Sequence, residues 1–322
     1  MPLFRKLLLS LGFIVGFSNL AMAQYPSNEV NQKLTHLCSN KAAKIGVMYQ
    51  VFAHSANNLE AEFCSSRDTY MTMSVLKLPI GMVLLKRLEQ TIPSVNTSNI
   101  NLEEKFGKEN LLNIDSMLRF SNNRCTDAVL DTLALYAQRD GYASLKVYLN
   151  ALFKQYFNTN GVGFGHFYRE YTDSNIYGNW CTLPGINAVL TVLMNNKWIN
   201  YWNEEASNST KAMTTGHPTV QSFFQYDVTK QFIFDCLIHT PTGPNRLIAG
   251  LKGMPSSVVL AHKTGTYWHD QNLIKPSFND VGIVYNPDKH RIYLISTFVQ
   301  LSSLSMEESE KIIAQAAKII VQ

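Results

Sequence analysis

The sequence predicts an α+β protein in which both ends of the chain build one five-stranded antiparallel sheet and a mainly helical lobe is inserted between them. Strand-like runs occur near the beginning and near the end of the 322 residues, whereas the long middle shows the periodicity of helices. The expected α/β lobe comprises residues 24–72 and 255–322, and the helical lobe comprises residues 73–254. The length suits one such domain.

The first 23 residues have the features of a secretory signal peptide. Arg5 and Lys6 precede an apolar run over residues 7–17, and Ala23 ends a group of small residues that offers a cleavage site. The run is shorter than a membrane-spanning helix needs, although an uncleaved anchor is the alternative. No later run is long and apolar enough to span a membrane, so we expect a periplasmic or secreted protein without stable membrane insertion.

Composition and charge narrow the classes of function. Apolar residues make up 46% and charged residues 16% of the chain, the net charge is +4, and no basic run indicates nucleic-acid binding. The eight histidines form no H-E-x-x-H pattern and the five cysteines no C-x-x-C pattern, so we expect neither a metal nor another cofactor. In an exported chain the cysteines instead suggest disulfides, with at least one of the five left unpaired.

The strands are predicted in two groups. Residues 44–53 and 59–63 are strand-like and flank a turn of small and polar residues, which indicates a hairpin. Three more strand-like runs cover residues 258–266, 281–285 and 291–300, and an Asn-Pro-Asp-Lys turn joins the last two. These five runs supply the strands of the expected sheet.

Helices are predicted in the middle of the chain and at its end. Residues 75–88 and 126–149 repeat apolar side chains at helical spacing. After the last strand, Ser305 and Glu308 form a capping box at the start of an amphipathic helix. Its apolar face is expected to lie on the sheet through Ile312, Ile313, Ala316, Ile319 and Ile320.

Ser74 is the first candidate for a reactive residue. It stands just ahead of a helix-like run, and Lys77 returns to the same helix face three residues later. A lysine whose pKa is lowered by burial and nearby positive charge can take the proton of a serine hydroxyl, and a helix N-terminus favours the negative charge formed on attack. On its own, S-x-x-K more often describes a serine cap followed by a solvated lysine.

A second motif, Ser121-Asn122-Asn123, precedes a helical run. Ser121 could relay a proton to a leaving nitrogen, and Asn123 could bind a substrate amide oxygen. The alternative is that the segment only caps the next helix.

A third motif, Lys263-Thr264-Gly265-Thr266, ends a β-branched and apolar run. The lysine and the hydroxyls offer a cation and donors for an anionic substrate, and the glycine permits a ligand to approach the backbone closely. Otherwise the segment is an ordinary strand end.

The order S-x-x-K, S-x-N, K-T-G resembles the signature set of class A β-lactamases and penicillin-binding proteins. Asn122 replaces the usual aspartate of the second motif. Residues 239–251 resemble the T-G-x-x-x-I-x-x-G-L stretch ahead of the family's K-T-G motif, and residues 280–285 resemble the strand after it. The resemblance covers nearly all of the chain behind the predicted signal peptide, and it implies a β-lactamase/transpeptidase-like fold.

The resemblance also implies a role for each motif residue. Ser74 would be the acylated nucleophile, Lys77 part of its activating network and Ser121 the proton relay. Asn123 would bind the substrate amide, and the backbone N–H groups of Ser74 and Thr266 would form the oxyanion hole. The substrate carboxylate would be bound at the third motif, beside Gly265, by Lys263, Thr264 and Thr266.

Hydrolysis of the acyl-enzyme requires a base, which the family supplies as a glutamate within R-x-E-x-x-L-N. The corresponding stretch here is residues 166–175, and Thr182-Leu183-Pro184 follows in place of the family's T-x-P. We assign Glu170 as the candidate base. If Arg169 is the family arginine, Tyr171 stands where the glutamate belongs, and Glu170 is then a solvated loop residue.

Two disulfides are expected within this fold. Cys38 and Cys64 bracket the N-terminal hairpin, and Cys125 and Cys181 would both lie near the active-site loop.

Three functions agree with these motifs. The leading hypothesis is a monomeric, exported class A-like serine β-lactamase that opens small-molecule β-lactams through an acyl-serine. The second is a penicillin-binding-type D-Ala-D-Ala peptidase, acting on peptidoglycan stem peptides, or a protein that binds β-lactams without hydrolysing them. The third is a non-enzymatic interaction module that retains the fold.

Overall fold

The computed structural model describes residues 24–53, 58–92, 100–170, 178–194, 223–268 and 276–322. The predicted signal peptide, residues 1–23, lies outside these ranges. Within them, no helix combines the length and hydropathy that a membrane crossing requires.

Five antiparallel strands form the main sheet, which confirms the predicted α+β class. They are β1 (Lys44–Ala53), β2 (Leu59–Cys64), β6 (Val259–Tyr267), β7 (Ser277–Asn286) and β8 (Arg291–Gln300). Their order is β2-β1-β8-β7-β6, so the N-terminal hairpin pairs with the three C-terminal strands. Strands β1 and β8 pair along their whole length, from Lys44 opposite Gln300 to Ala53 opposite Arg291.

The chain between the two halves of the sheet is mainly helical. Helix α1 precedes the first strand, and α10 follows the last. In chain order the helices are α1 (Ser27–Cys38), α2 (Lys77–Glu89), α3 (Leu102–Phe106), α4 (Lys108–Arg119), α5 (Asn123–Arg139), α6 (Leu145–Phe157), α7 (Leu183–Met194), α8 (Asp227–Ile238), α9 (Leu247–Gly250) and α10 (Met306–Val321).

Helices α1 and α10 pack on one face of the sheet. Helix α10 begins with the predicted capping box, since the Ser305 hydroxyl accepts the Glu308 N–H while the Glu308 carboxylate accepts the Ser305 N–H. Its buried face includes Ile312, Ile313 and Ala316, which join a core cluster with side chains of β1 and β8. Burial of this apolar stripe is the main force that holds the helix on the sheet.

Helix α2 lies at the centre of the helical lobe. It contacts α4, α5 and α6, and it is buried on nearly all sides. Ile80, Met82, Val83 and Leu84 are fully buried, so the helix that carries Lys77 is held rigidly on every side.

A small three-stranded sheet positions the chain just before Ser74. It consists of β3 (Thr69–Met71), β4 (Val162–Gly163) and β5 (Trp180–Thr182), in the order β3-β5-β4. Tyr70 of β3 pairs with Cys181 of β5, and Gly163 of β4 leaves space for the Trp180 ring. The small sheet therefore ties the segment before Ser74 to the segment that follows Glu170.

The predicted helical run over residues 126–149 is two helices, α5 and α6. The break falls at Gly141, whose φ of +78° lies in the left-handed region that glycine adopts without strain. Ser144 then starts α6, because its hydroxyl accepts the Val147 N–H at 3.3 Å. Helical periodicity alone did not reveal the break.

The two predicted disulfides are wrong, since all five cysteine thiols are free. Cys38 packs in the layer between the sheet and helices α1 and α10, whereas Cys64 pairs with Met48, a residue of the opposite core cluster. Because successive strand side chains point to opposite faces, the two thiols of the first predicted pair are turned to different layers. In the second pair, Cys181 is fully buried in β5 and Cys125 occupies the first turn of α5.

Candidate active site

Ser74 lies between the small sheet and the buried helix α2. It is the second residue of a 3-10 turn, Met73–Leu76, that leads directly into α2. Met73 has a φ of +48°, a conformation that costs energy for a residue with a side chain and that is typical of functional sites. Ser74 is partly exposed while its neighbours on both sides are buried, so it is the residue of this turn that solvent can reach.

Lys77 is fully buried and points at the second motif. Its Nζ donates to the Ser121 carbonyl at 2.6 Å and to Asn123 Oδ1 at 2.6 Å. The Ser121 hydroxyl lies 3.5 Å from the same nitrogen. The first two motifs are therefore joined through the lysine.

The second motif turns sharply before it enters α5. Ser121 has a φ of +58°, and the Asn122 side chain accepts the Cys125 N–H at 3.1 Å, which caps the helix. A carboxamide oxygen performs this cap as well as a carboxylate oxygen does. The replacement of the usual aspartate by Asn122 therefore leaves the geometry of the motif intact.

Lys263 approaches Ser121 from the sheet. Its side chain is fully buried, and Nζ donates to Ser121 Oγ at 3.0 Å and to the Thr264 carbonyl at 3.0 Å. The Ser121 hydroxyl therefore lies between two lysine nitrogens. This arrangement can pass a proton between the first and the third motif.

Gly265 brings strand β6 against the Ser74 segment. A Cβ atom at this position would lie 2.7 Å from the Thr72 carbonyl oxygen and 3.2 Å from the Ser74 backbone nitrogen. No larger residue fits this approach without moving the backbone. The close contact places the backbone at Ser74 beside the exposed Thr266, where the oxyanion hole is predicted.

The pKa values of the two lysines are low for a common physical reason. Burial lowers the pKa of Lys77 to about 6, and the positive charge of Lys263 contributes, while Asp127 and Cys125 oppose the shift. Burial lowers the pKa of Lys263 to about 7, and Asp280 opposes that shift. Lys77 is thus mainly neutral at pH 7, the form that can accept a proton.

Arg246 is a site residue that the sequence analysis missed. Its guanidinium donates to the Gly265 carbonyl at 3.1 Å and to Thr266 Oγ1 at 2.6 Å, and it pairs with the buried carboxylate of Glu310 at 3.0 Å. It therefore adds a cation to the end of β6. Its position in the T-G-x-x-x-I-x-x-G-L-like stretch was the available signal, but that pattern does not show where the side chain points.

A chain of hydroxyl groups links the third motif to the second. Thr264 Oγ1 donates to Thr242 Oγ1 at 2.9 Å, and the Thr242 and Thr240 hydroxyls lie 2.8 Å apart. Thr240 donates in turn to the carbonyl of Arg119 at 2.6 Å, two residues before Ser121. These hydrogen bonds join strand β6 to the end of helix α4, which leads into the second motif.

The turn that contains Glu170 contacts the site through Tyr168. Glu170 ends a short 3-10 turn (Tyr168–Glu170), is exposed, and accepts the Phe167 N–H at 3.1 Å. The side chain that this turn lays against Lys77 is Tyr168, with the ring centroid 4.7 Å from Nζ. The role of Glu170 stays a prediction, and Tyr168 is a second contact that the sequence analysis did not anticipate.

Comparisons with known proteins show which proteins this chain resembles. A model of the β-lactamase enzyme family matches residues 227–322. The β-lactamase VEB-1 of Pseudomonas aeruginosa is 28% identical, in an alignment covering 97% of this chain and 94% of that protein. The extended-spectrum β-lactamase PER-1 of the same organism is 23% identical, covering 96% and 94%. The chain is therefore similar to β-lactamases over nearly its whole length.

Solved structures of β-lactamases share the fold of this chain. The TLA-3 extended-spectrum β-lactamase superimposes with a TM-score of 0.65 at 20% identity, covering 91% of this chain and 98% of that one. A class A β-lactamase from Bacteroides cellulosilyticus gives a TM-score of 0.63 at 20% identity, covering 92% and 98%. The predicted β-lactamase-like fold is therefore confirmed.

Proposed function

We propose that this chain is a serine β-lactamase in which Ser74 opens the lactam ring and forms an acyl-enzyme that water then hydrolyses. The observation that carries the proposal is the Ser121 hydroxyl, held between the buried nitrogens of Lys263 and of Lys77, the residue one helical turn after Ser74. Two desolvated lysines around one hydroxyl are costly to bury, and proton transfer is a function that justifies that cost.

Acylation follows from the protonation states of the two lysines. Neutral Lys77 takes the proton of Ser74 while the serine oxygen attacks the lactam carbonyl. The N–H groups of Ser74 and Thr266 bind the oxyanion. As the C–N bond breaks, Ser121 gives its hydroxyl proton to the lactam nitrogen and takes a proton from the Lys77 ammonium, which becomes neutral again. Lys263 holds the carboxylate of the substrate.

The remaining predicted residues orient the substrate and complete the reaction. Asn123 binds the side-chain amide of the lactam, and Thr264, Thr266 and the adjacent Arg246 assist Lys263. Water activated by Glu170 then hydrolyses the acyl-serine ester. The predicted signal peptide supports export and cleavage after Ala23, and we expect the released protein to act as a monomer.

A second candidate function is acylation without rapid hydrolysis, as in a penicillin-binding peptidase or a β-lactam-binding protein. The observation that favours it is the Tyr168 ring, which lies against the Lys77 amine with its centroid 4.7 Å from Nζ. Both functions share acylation at Ser74, and with a β-lactam they differ in the fate of the acyl group.

One experiment separates these functions. Purified protein is mixed with nitrocefin and, separately, with a fluorescent penicillin, and both turnover and covalent labelling are followed. We expect sustained nitrocefin hydrolysis that Ser74→Ala abolishes and that Glu170→Gln slows by at least about 10²-fold. Labelling without turnover supports the second candidate, whereas absence of both signals contradicts acylation at Ser74. Hydrolysis at the wild-type rate in Glu170→Gln removes Glu170 from the mechanism.

The two low lysine pKa values predict a narrow, bell-shaped pH profile of kcat/KM for nitrocefin. The rate should fall below the Lys77 pKa of about 6, because the protonated amine cannot act as a base. It should also fall above the Lys263 pKa of about 7, because the neutral amine no longer holds the substrate carboxylate. Steady-state rates across this pH range test both limbs.

Two controls assign the limbs. Lys263→Arg keeps a charged group at all these pH values, so its alkaline limb should vanish. With an esterified substrate, which has no free carboxylate, the alkaline limb should also be absent in the wild-type protein. A wild-type profile that is flat across both limbs would contradict the assignment.

A further inference from the structure

We propose that Tyr168 is a positioning residue for the Ser74–Lys77 pair, with its ring holding the Lys77 amine and its hydroxyl holding the strained backbone before Ser74. The inference rests on the proposed acylation at Ser74 and extends it to a residue outside the three motifs. Three contacts of Tyr168 carry the argument, one from each part of the residue.

The ring of Tyr168 faces the amine of Lys77. Nζ lies 4.7 Å from the ring centroid, within the range of a cation–π contact, and both side chains are buried. The ring stabilises the protonated amine much more than the neutral amine. The contact therefore raises the pKa of Lys77 and opposes the lowering that burial causes. The same nitrogen is directed at Ser121 and Asn123, so the ring closes the side of the amine that faces the turn.

The hydroxyl of Tyr168 holds the peptide just before the nucleophile. It donates to the Met73 carbonyl at 2.7 Å, and Met73 is the residue with the left-handed backbone. A conformation of this kind persists only when its surroundings impose it. The hydrogen bond is one of those surroundings, and it acts one residue away from Ser74.

The backbone of Tyr168 is itself anchored to α5. Its N–H donates to Asp127 Oδ1 at 2.9 Å, and Asp127 is nearly fully buried. This hydrogen bond fixes the turn that carries Tyr168 to helix α5. It also places Asp127 among the groups that face Lys77, together with Cys125 of α5 and Lys263 of β6. The charge of Lys263 lowers the pKa of Lys77, whereas Asp127 and Cys125 raise it.

The test uses the second-order rate constant for labelling by fluorescent penicillin, measured as a function of pH. In Tyr168→Phe the ring remains and the hydroxyl is lost, so we expect the rate to fall about 5- to 10-fold at every pH, with the acid limb unmoved. In Tyr168→Leu both contacts are lost, so the acid limb should also move to lower pH by about half a unit or more. A purely structural role would lower the rate without moving the limb.

Two further sets of variants serve as a control and as a replacement for Tyr168→Leu. Tyr136→Leu removes a ring that lies over Arg87 and Arg139 near the other end of α5, and it should leave both rate and limb unchanged. If Tyr168→Leu does not fold, phenylalanines of increasing ring fluorination at this position keep the shape and weaken the cation–π contact step by step. The limb should then move down with each fluorine.

Each role of Tyr168 is contradicted by a different result. An acid limb that stays in place in Tyr168→Leu and in the fluorinated series overturns the role of the ring, and a wild-type rate in Tyr168→Phe overturns the role of the hydroxyl. If the wild-type protein is not labelled at all, the proposed function fails instead. NMR titration of ¹³C-labelled lysine then still reports whether the Lys77 pKa falls when the ring is removed.

Discussion

Lys77→Arg should reduce the rate of Ser74 acylation by about 10²- to 10⁴-fold, the usual contribution of a general base. The Lys77 pKa of about 6 leaves the amine mainly neutral at pH 7 and able to take the serine proton. A guanidinium group stays protonated at any pH at which the protein is folded, so it can keep the hydrogen bonds to Ser121 and Asn123 but cannot act as a base. The rate of labelling by fluorescent penicillin measures the loss directly.

Lys86→Arg is the matched control for this change. Lys86 lies on the same helix and pairs with Glu89, with Nζ 3.8 Å from the carboxylate, and it belongs to none of the three motifs. The substitution should leave labelling unchanged. Lys77→Met, which keeps most of the side-chain volume and removes the amine, should lose as much activity as Lys77→Arg. Rapid acylation in either Lys77 variant would show that another group activates Ser74.

Gly265→Ala should reduce acylation by at least about 10²-fold, a loss similar to that of one oxyanion-hole donor. The added Cβ would lie 2.7 Å from the Thr72 carbonyl and 3.1 Å from the Met73 Cβ, so strand β6 or the Ser74 turn must move. Either movement separates the N–H groups of Ser74 and Thr266, which must bind one oxygen atom together. The reduction should appear in the labelling rate and in kcat for nitrocefin.

Gly253→Ala separates this effect from a general loss of stability. Gly253 has a φ of +89°, so alanine is strained there, but nothing lies within 4 Å of its added Cβ. We expect it to lower the free energy of unfolding by about 1 kcal/mol without changing the labelling rate. If Gly265→Ala lowers stability by the same amount and acylation is unaffected, the close approach of β6 is not needed for catalysis.

Local patterns in the sequence predicted the sheet well. Strands β1 and β8 have the predicted bounds, 44–53 and 291–300, because alternating and β-branched residues between turn signals favour extended backbone wherever the chain places them. The capping box at Ser305 was equally visible, since both of its hydrogen bonds are made within one turn of helix. The prediction of one helical run over residues 126–149 missed the break between α5 and α6, because helical periodicity continues across Gly141.

The candidate site shows a similar division. Its three motifs were found from residue order, because Ser74 and Lys77 meet within one helical turn and the K-T-G motif is contiguous. Arg246, Thr242 and Tyr168 were missed because each reaches the site from a distant part of the chain. The predicted disulfides failed for the same reason, since nearness in sequence does not tell to which layer of the fold a thiol is turned.

The sequence by itself thus determined the fold class, the bounds of strands β1 and β8 and the positions of the three motifs, whereas β7 begins four residues before its predicted start. These properties depend on interactions between residues close along the chain. Only the tertiary structure decided the low pKa values of Lys77 and Lys263, the support of β6 by Arg246 and the contact of Tyr168 with Lys77. Burial and electrostatic interactions act through space, so residues far apart in sequence create the environment of the Ser74–Lys77 pair.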